Sequence, residues 1–176
     1  MKLFKSPVFA TILTIVVVFA SILLNTNVKF GRKCEAVTDQ FFNGSASIAS
    51  RLESLSNDAA SLAAVAERCD VDAALVQSYN SALRGALQSE NVYLTRLAYS
   101  SLSSSLTALT GQLANTELSA ADKEEVERCT ASIADAQSAI SAADYNETVR
   151  AFQRRYDHFP TNVLADMAGV DMPQTF

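Results

Sequence analysis

The stretch VFATILTIVVVFASILL, from Val8 to Leu24, carries no charged residue, and twelve of its seventeen residues are Val, Ile, Leu or Phe. Each of those residue types contributes about −0.3 to −0.6 kcal/mol to insertion at a helix centre, so the run favours membrane insertion by about 5 kcal/mol. A helix of this length is about 25 Å long, close to the thickness of the hydrocarbon core. The run therefore predicts a transmembrane anchor over residues 8–28, after a short N-terminal tail over residues 1–7.

A cleaved signal peptide is the alternative interpretation of this run. Signal peptides have an apolar region of about 7–15 residues, followed by a cleavage site with small residues in an Ala-x-Ala pattern. The residues from Leu24 to Val28, Leu-Asn-Thr-Asn-Val, contain no such pattern. We therefore expect a retained anchor that contacts membrane lipid through residues 8–28.

The charges are distributed unevenly along the chain. Of the fourteen Lys and Arg residues, five lie in residues 1–33, which hold no acid, so the remainder has a net charge of −10 with all nineteen acids. An acidic domain repels the phosphate backbone, and nucleic-acid binding is therefore not expected. Lys2 and Lys5 precede the anchor, and Lys29, Arg32 and Lys33 follow it, so the flanking charges do not decide which side of the membrane the domain occupies.

The rest of the sequence has the pattern of a helical bundle. With five Gly, three Pro and no Trp, and with Ala, Ser and Leu dominant, the composition favours long helices over strands. Apolar residues recur at helical spacing in three segments, interrupted near Asn43-Gly44 and Cys69-Asp70. The segments carry Val37, Phe41, Ile48, Leu52, Leu55, Leu62 and Val65, then Val71, Leu75, Tyr79, Leu83 and Leu87, then Leu97, Leu102, Leu106, Leu109 and Leu113. We expect an all-α fold, with an N-terminal transmembrane helix followed by an antiparallel bundle of long helices over residues 34–160.

A further helix is predicted to begin at Ser119. Ser is a favourable N-cap, and Asp122 lies in the first turn, where the helix dipole favours acids. The apolar residues that follow at sevenfold spacing, with small residues between them, are Val126, Ile133 and Ile140. Such a narrow, alanine-rich seam suits close packing in a bundle or a coiled coil. Helical structure should end before Pro160, because proline disfavours helical geometry at the preceding residue.

No group of carboxylates or serines has the pattern of a catalytic site. Glu124, Glu125 and Glu127 are typical of a solvated helix start, and no Glu-x-x-His pair exists for a di-iron bundle. The serines lack a Gly-x-Ser-x-Gly turn. The sequence therefore predicts a protein that is not an enzyme and has no cofactor.

The cysteines do not form a metal site either. Cys34, Cys69 and Cys129 lack Cys-x-x-Cys spacing, and His158 is the only histidine, so no zinc is expected. A disulfide between Cys69 and Cys129 remains open if the domain lies outside the cytoplasm.

The C-terminal part of the chain carries the most specific motif. ADYNETVRAF over residues 143–152 is followed by FPTNVLA over residues 159–165 and then by Gly169. This resembles the C-terminal signature of the LemA family, in which Tyr-Asn-x-x-Val-x-x-aromatic is followed by Phe-Pro-x-Asn-x-x-Ala-x-x-x-Gly. The matching residues are Tyr145, Asn146, Val149, Phe152, Phe159, Pro160, Asn162, Ala165 and Gly169. Gln153 and Tyr156 depart from the family pattern, and the family's Arg-Arg-x-x-Leu-Ile-Pro-Asn-Leu run is missing, so the chain looks like a divergent member.

The resemblance implies a bacterial membrane protein with one N-terminal transmembrane helix and a long antiparallel helical bundle. It also implies a short N-terminus outside the cell and a bundle in the cytoplasm. We expect a scaffold or protein–protein interaction role, in which the partner is an unknown protein or a second copy of the chain. The alternative is a sensor module that binds a small molecule between its helices.

The signature residues are predicted to be structural. Tyr145, Val149 and Phe152 lie at helical steps typical of a core face. The tail over residues 161–176 is expected to pack back on the bundle. This arrangement would place Phe159 against the helix that carries Tyr145 and Phe152.

Overall fold

The computed structural model of the chain describes residues 7–44 and 46–176, without the side chains of residues 7–9. The seven helices in this part of the chain are α1 (Pro7–Phe42), α2 (Ile48–Arg68), α3 (Ala74–Gln88), α4 (Val92–Leu113), α5 (Ala120–Ser141), α6 (Tyr145–Tyr156) and α7 (Thr161–Met167). The described residues contain no strand, and the predicted all-α fold is confirmed. The predicted tail over residues 1–7 lies outside the described residues, apart from Pro7.

The chain divides into two compact units. The α1 unit comprises the residues up to Thr38 together with Glu147–Pro173, and the bundle unit comprises Asp39–Asn146 together with Gln174–Phe176. The divisions lie inside α1 and α6, so each of these helices contributes residues to both units. The predicted bundle domain over residues 34–160 is accordingly shared between the two units.

α1 joins the predicted anchor and the first amphipathic segment in one helix of 36 residues. Its most apolar stretch has a mean hydropathy of 2.0, and none of that stretch is buried. The large apolar side chains of α1 that are 43–69% exposed are Ile12, Leu13, Ile15, Val16, Val17, Val18, Phe19, Ile22, Leu24 and Val28. α1 is therefore long and apolar enough to span a membrane.

The bundle unit is built around α2. α3 and α5 both pack on α2, and α4 packs mainly on α3. α2 begins at the N-cap Ser47, whose Oγ accepts a hydrogen bond from the Ser50 N–H at 3.2 Å. The fully buried side chains of the four helices include Leu52, Leu55, Leu62, Leu83, Leu102, Leu113 and Cys129. Burial of each leucine contributes about 1.5–3 kcal/mol, so these residues hold the bundle together.

The buried face of α3 differs from the predicted row at four-residue steps. Leu75 is 64% exposed, whereas Val76 and Leu83 are buried together with Asn80. Four residues of a helix turn through about 400°, so each step of four moves the row about 40° around the helix. Residues at alternating steps of three and four stay on one face of a helix. The predicted row of four-residue steps therefore began on the exposed side of α3, at Leu75.

Three helices end in a Schellman motif, in which the N–H two residues beyond the cap donates to the carbonyl five residues earlier. These bonds join Val71 to Ala66 after α2, Asn91 to Ala86 after α3, and Val170 to Ala165 after α7, at 2.9, 3.3 and 3.0 Å. The motif needs one residue in the left-handed region, and these residues are Asp70, Glu90 and Gly169, with φ of 55°, 50° and 67°. Only Gly169 occupies this region without a Cβ, so Asp70 and Glu90 carry backbone strain.

Aromatic side chains of α1 and α6 pack together in the α1 unit. The ring centroid of Phe30 lies 5.8 Å from that of Phe152 and 5.3 Å from that of Tyr156. Phe152 and Tyr156 also contact each other, at 4.7 Å. Such aromatic pairs stabilise a core by about 0.5–1.5 kcal/mol beyond the burial of their area.

α7 and the residues after it pack on α1 beside this aromatic cluster. Ala165 of α7 is buried with Phe30 and Cys34 of α1, and Val170 and Met172 pack against them. The Asn27 side chain donates a hydrogen bond to the Ala168 carbonyl at 2.7 Å. The segment that follows Pro160 therefore folds back along α1 within this unit.

The predicted packing of Phe159 against Tyr145 and Phe152 is wrong. The Phe159 side chain is 79% exposed, whereas Tyr145 is only 5% exposed. α6 ends at Tyr156, as predicted for a helix that stops before Pro160, and Phe159 lies beyond that helix. Phe152 packs instead on Phe30 of α1, so the contact expected from Phe159 is already supplied.

Candidate interaction surfaces

The carboxylates at the start of α5 do not converge on a chemical site. The Glu125 carboxylate lies 2.7 Å from Arg128 Nη2, and this hydrogen bond is the main reason that the pKa of Glu125 is lowered. Glu124, Glu127 and His158 are exposed. Within residues 7–44 and 46–176, no three His, Cys, Asp or Glu side chains are grouped so as to hold a metal ion.

The three cysteines are free thiols that belong to the packing of their helices. Cys34 is buried in the α1 unit, Cys129 is buried in α5, and Cys69 is half-buried at the end of α2. Burial raises the pKa of Cys129, so its neutral and unreactive thiol form is favoured.

The start of α5 is tied to the end of α2 by charge and hydrogen bonds. Ser119 caps the helix as predicted, since its Oγ accepts from the Asp122 N–H at 3.2 Å and donates to Asp122 Oδ2 at 2.6 Å. Arg68 of α2 donates to the other oxygen of Asp122 at 2.6 Å. The bonds from Ser119 and Arg68, in that order of size, lower the pKa of Asp122.

Two residues of the signature, Tyr145 and Asn146, hold the C-terminal residues of the chain in the bundle unit. Tyr145 Oη donates to the Gln174 carbonyl at 2.9 Å. The Asn146 side chain donates to the Phe176 main-chain oxygen at 2.9 Å and accepts from the Phe176 N–H at 2.7 Å. The Phe176 ring contacts Phe41 at 5.1 Å. The sequence signal for this contact is the single apolar residue after Gln174-Thr175, which helical periodicity does not reveal.

The other seven signature residues belong to the α1 unit and serve different purposes. Val149 and Ala165 are buried, Phe152 packs on Phe30, and Gly169 supplies the left-handed turn after α7. Asn162 Oδ1 accepts from the Val163 N–H at 2.8 Å. Phe159 and Pro160 are exposed. The nine residues therefore do not form one site, and most of them are structural.

A large groove in the described part of the bundle unit lies between α4 and α5. Its volume is about 810 Å³, and it opens because α4 packs mainly on α3 while α5 packs on α2. The groove is lined by the apolar side chains of Leu113, Leu118, Val126, Ala114, Ala131 and Ala134 and by the methyl-bearing threonines Thr110, Thr116 and Thr130, with Lys123 and Glu127 at its edge. It is therefore an apolar surface with a charged rim.

The sevenfold spacing predicts that Val126 lies in the buried seam of α5. The structure leaves Val126 only half-buried, on the wall of this groove, while Cys129, Ile133 and Ile140 are buried. Ala131 and Ala134 are exposed and were not singled out, because alanine is typical of any helix surface. The groove is produced by tertiary packing, which helical periodicity alone does not predict.

No protein-family model, no curated protein and no solved structure matches this chain. The resemblance to LemA proteins thus depends on the nine signature residues and on the N-terminal apolar helix.

Proposed function

We propose that this chain is a single-pass bacterial membrane protein of LemA type, in which α1 crosses the membrane and the bundle unit binds a partner protein without catalysis. The partner is another protein or a second copy of the chain. By the family resemblance, the bundle lies on the cytoplasmic side. The observation that carries the proposal is the apolar groove between α4 and α5.

Membrane anchoring is supported by the exposure of α1. The apolar side chains of its run from Ile12 to Ile22 are exposed on every side of the helix, and no other described element covers them. In water each such side chain would lose the stabilisation of about 1.5–3 kcal/mol that burial gives. Lipid acyl chains remove this cost, and Lys29, Arg32 and Lys33 follow the run, as at the end of a membrane span.

Partner binding is supported by the chemistry of the groove. Small side chains such as Ala131 and Ala134 let another backbone approach closely, while Leu118 and Val126 supply apolar contact. This is the arrangement in which an amphipathic helix places its apolar face in a groove between two helices. Lys123 and Glu127 at the edge offer both signs of charge, which would set the register of the bound helix.

A small apolar molecule is the alternative occupant of the groove. Its volume of about 810 Å³ lies within the range of about 300–1,000 Å³ of small-molecule sites. A sensor role would follow from such a ligand. The two occupants differ in mass, so one crosslinking experiment distinguishes them.

The test places a photoreactive amino acid at Ala134 in the groove and, as a matched control, at Ala64 on the exposed face of α2. The full chain is irradiated in the membranes of the cells that produce it, and crosslinked products are identified by mass. We expect a discrete protein adduct from position 134 and none from position 64. The adduct should disappear when Ala131→Arg is added, because a large cation then fills the groove.

The same adducts from both positions, or an adduct that persists with Ala131→Arg, would contradict the groove as the binding surface. A discrete adduct of small mass from position 134 alone would replace the partner protein with a ligand. Ala64→Arg serves as the charge control, since it makes the same exchange at an exposed helix position outside the groove.

A further inference from the structure

Three large apolar side chains remain exposed in the C-terminal part of the α1 unit, far along the chain from the apolar run of α1. Phe159 is 79% exposed, Val163 is 45% exposed and Met167 is 54% exposed. They follow each other at four-residue intervals, in and just before α7. The described chain leaves this row uncovered, although apolar side chains of this size favour removal from water.

The row occupies one flank of α7, and polar residues occupy the other. With about 100° per residue, Val163 and Met167 lie together on one flank, and Asn162 and Asp166 lie on a second flank about 100° around the helix from it. The side of α7 outside both flanks faces α1, because Ala165 packs on α1 and the Ala168 carbonyl accepts from Asn27. α7 therefore has an apolar flank as well as a polar flank, and the contact with α1 does not account for the apolar one.

α7 is attached where the apolar run of α1 ends. Asn27, which holds the Ala168 carbonyl at 2.7 Å, comes three residues after Leu24. Thr161 and Leu164 line a cavity of about 280 Å³ together with α1 residues from Asn25 onwards. In a chain anchored by α1, this level of the helix is the boundary between acyl chains and headgroups.

The apolar flank lies on the side of α7 nearer to the apolar run. Leu164 is the contact residue adjoining Val163 and Met167 around the helix, and its cavity extends along α1 from Lys33 and Phe30 back to Asn25. Ala165, on the side of Asn162 and Asp166, packs instead on Phe30 and Cys34, farther along α1. The polar flank thus lies farther from the run than the apolar flank.

Basic side chains surround this level of the α1 unit. Lys29 and Lys33 border the cavity, and Lys33 Nζ lies 3.2 Å from Tyr156 Oη. The Arg155 guanidinium lies 5.6 Å from the Tyr156 ring. Juxtamembrane cations of this kind are attracted to anionic lipid headgroups.

From this arrangement we propose that α7 and the preceding Phe159 lie on the surface of the bilayer, with Phe159, Val163 and Met167 inserted at the boundary of headgroups and acyl chains. The inference rests on the proposed anchoring by α1. It assigns Phe159, Val163 and Met167 to lipid contact, in addition to the protein binding proposed for the groove of the bundle unit. An interfacial helix of this kind buries its apolar face about 5–10 Å below the headgroups.

The test uses the absence of Trp from the chain. Full-length Phe19→Trp, Phe159→Trp, Val163→Trp and Asp166→Trp variants are each reconstituted in vesicles of phosphatidylcholine and phosphatidylglycerol. Parallel vesicles contain phosphatidylcholine that is brominated either near the glycerol end or near the methyl end of its acyl chains. All four positions are exposed, so the single Trp disturbs no core contact, and Asp166→Trp is the control on the other flank of α7.

Phe19→Trp should be quenched by bromine near the methyl end, which tests the anchor itself. Val163→Trp and Phe159→Trp should show blue-shifted emission and lose at least about half of it to bromine near the glycerol end, given an insertion depth of about 5–10 Å. Asp166→Trp should lose little. If Phe19→Trp is quenched while Val163→Trp and Phe159→Trp behave like Asp166→Trp, the surface contact is refuted and the anchor stands. If Phe19→Trp is not quenched, the anchor fails, and this inference fails with it.

Discussion

The two units use the same apolar residue types in opposite ways. In the bundle unit, leucines such as Leu52, Leu62 and Leu83 are fully buried, whereas in α1 the side chains of Ile15 and Leu24 are 63% and 69% exposed. The helices of the bundle unit that are apolar on one side are covered by partner helices, whereas the apolar run of α1 is covered by no other described element. Under the proposed anchoring, the apolar run of α1 suits lipid, whereas the helices of the bundle unit cover one another's apolar sides.

The largest expected effect tests the surroundings of α1. Val17→Arg together with Phe19→Arg should release the chain from membranes, because two central arginines cost about 5–7 kcal/mol, as much as the whole run contributes to insertion. The measurement is the fraction of the chain that stays in the membrane pellet after an alkaline carbonate wash. The matched control is Ala60→Arg with Ala64→Arg on the exposed face of α2, which should leave the chain in the pellet. Release of the parent chain by the same wash would contradict the membrane anchoring by α1, and with it the difference in surroundings between α1 and the bundle unit.

The next effect compares two phenylalanines that differ in exposure. Phe41 is fully buried and contacts Tyr145 and Phe176, so Phe41→Ala should destabilise the bundle unit by about 3–5 kcal/mol. Phe159→Ala should leave the thermal midpoint in detergent unchanged, because Phe159 is 79% exposed. Thermal unfolding followed by circular dichroism measures both variants. A lowered midpoint for Phe159→Ala would mean that Phe159 is packed against the helix of Tyr145 and Phe152, as the sequence predicted, and would contradict its exposure in the structure.

How far the sequence predicted this molecule depended on the range of the interactions. The apolar run, the breaks near Asn43 and Cys69, and the Ser119 cap are local features, and all were predicted. Phe159 was misplaced because the partner of Phe152 proved to be Phe30, more than a hundred residues earlier. The groove between α4 and α5 was not predicted for the same reason, because it depends on which helices α4 and α5 pack against.

A smaller effect is expected at Tyr145, one of the two signature residues that hold the C-terminal residues in the bundle unit. Tyr145→Phe removes the hydrogen bond to the Gln174 carbonyl and should cost about 1 kcal/mol at neutral pH. Burial raises the pKa of Tyr145 to about 12. A raised pKa means that the neutral phenol contributes stability below its unfolded pKa of about 10, and that this contribution is lost as the pH rises through about 12.

Denaturant unfolding of the parent and Tyr145→Phe at a series of pH values checks both parts of this prediction. The stability advantage of the parent should be constant up to about pH 10 and should shrink between about pH 10 and pH 12. An advantage that does not change across this window would mean that the Tyr145 hydroxyl is open to water. Tyr145 would then resemble Phe159 and Pro160, which are exposed residues of the signature.

The smallest effect uses the helix-ending motif that both units share. Gly169 fits the left-handed position in the α1 unit, whereas Glu90 occupies the same position in the bundle unit with a φ of 50°. Glu90→Gly should therefore stabilise the bundle unit, because the strain of about 1–2 kcal/mol that a Cβ causes there exceeds the backbone entropy of about 0.5–1 kcal/mol that glycine loses. The net gain is the difference between the two, about 0–1.5 kcal/mol, and it is measured as a shift in the denaturant midpoint. Glu90→Gln, which removes the charge but keeps the Cβ, should not reproduce the gain. An equal gain from both variants would assign it to charge repulsion in the acidic bundle, and the backbone of the two motifs would then be equally relaxed with or without glycine.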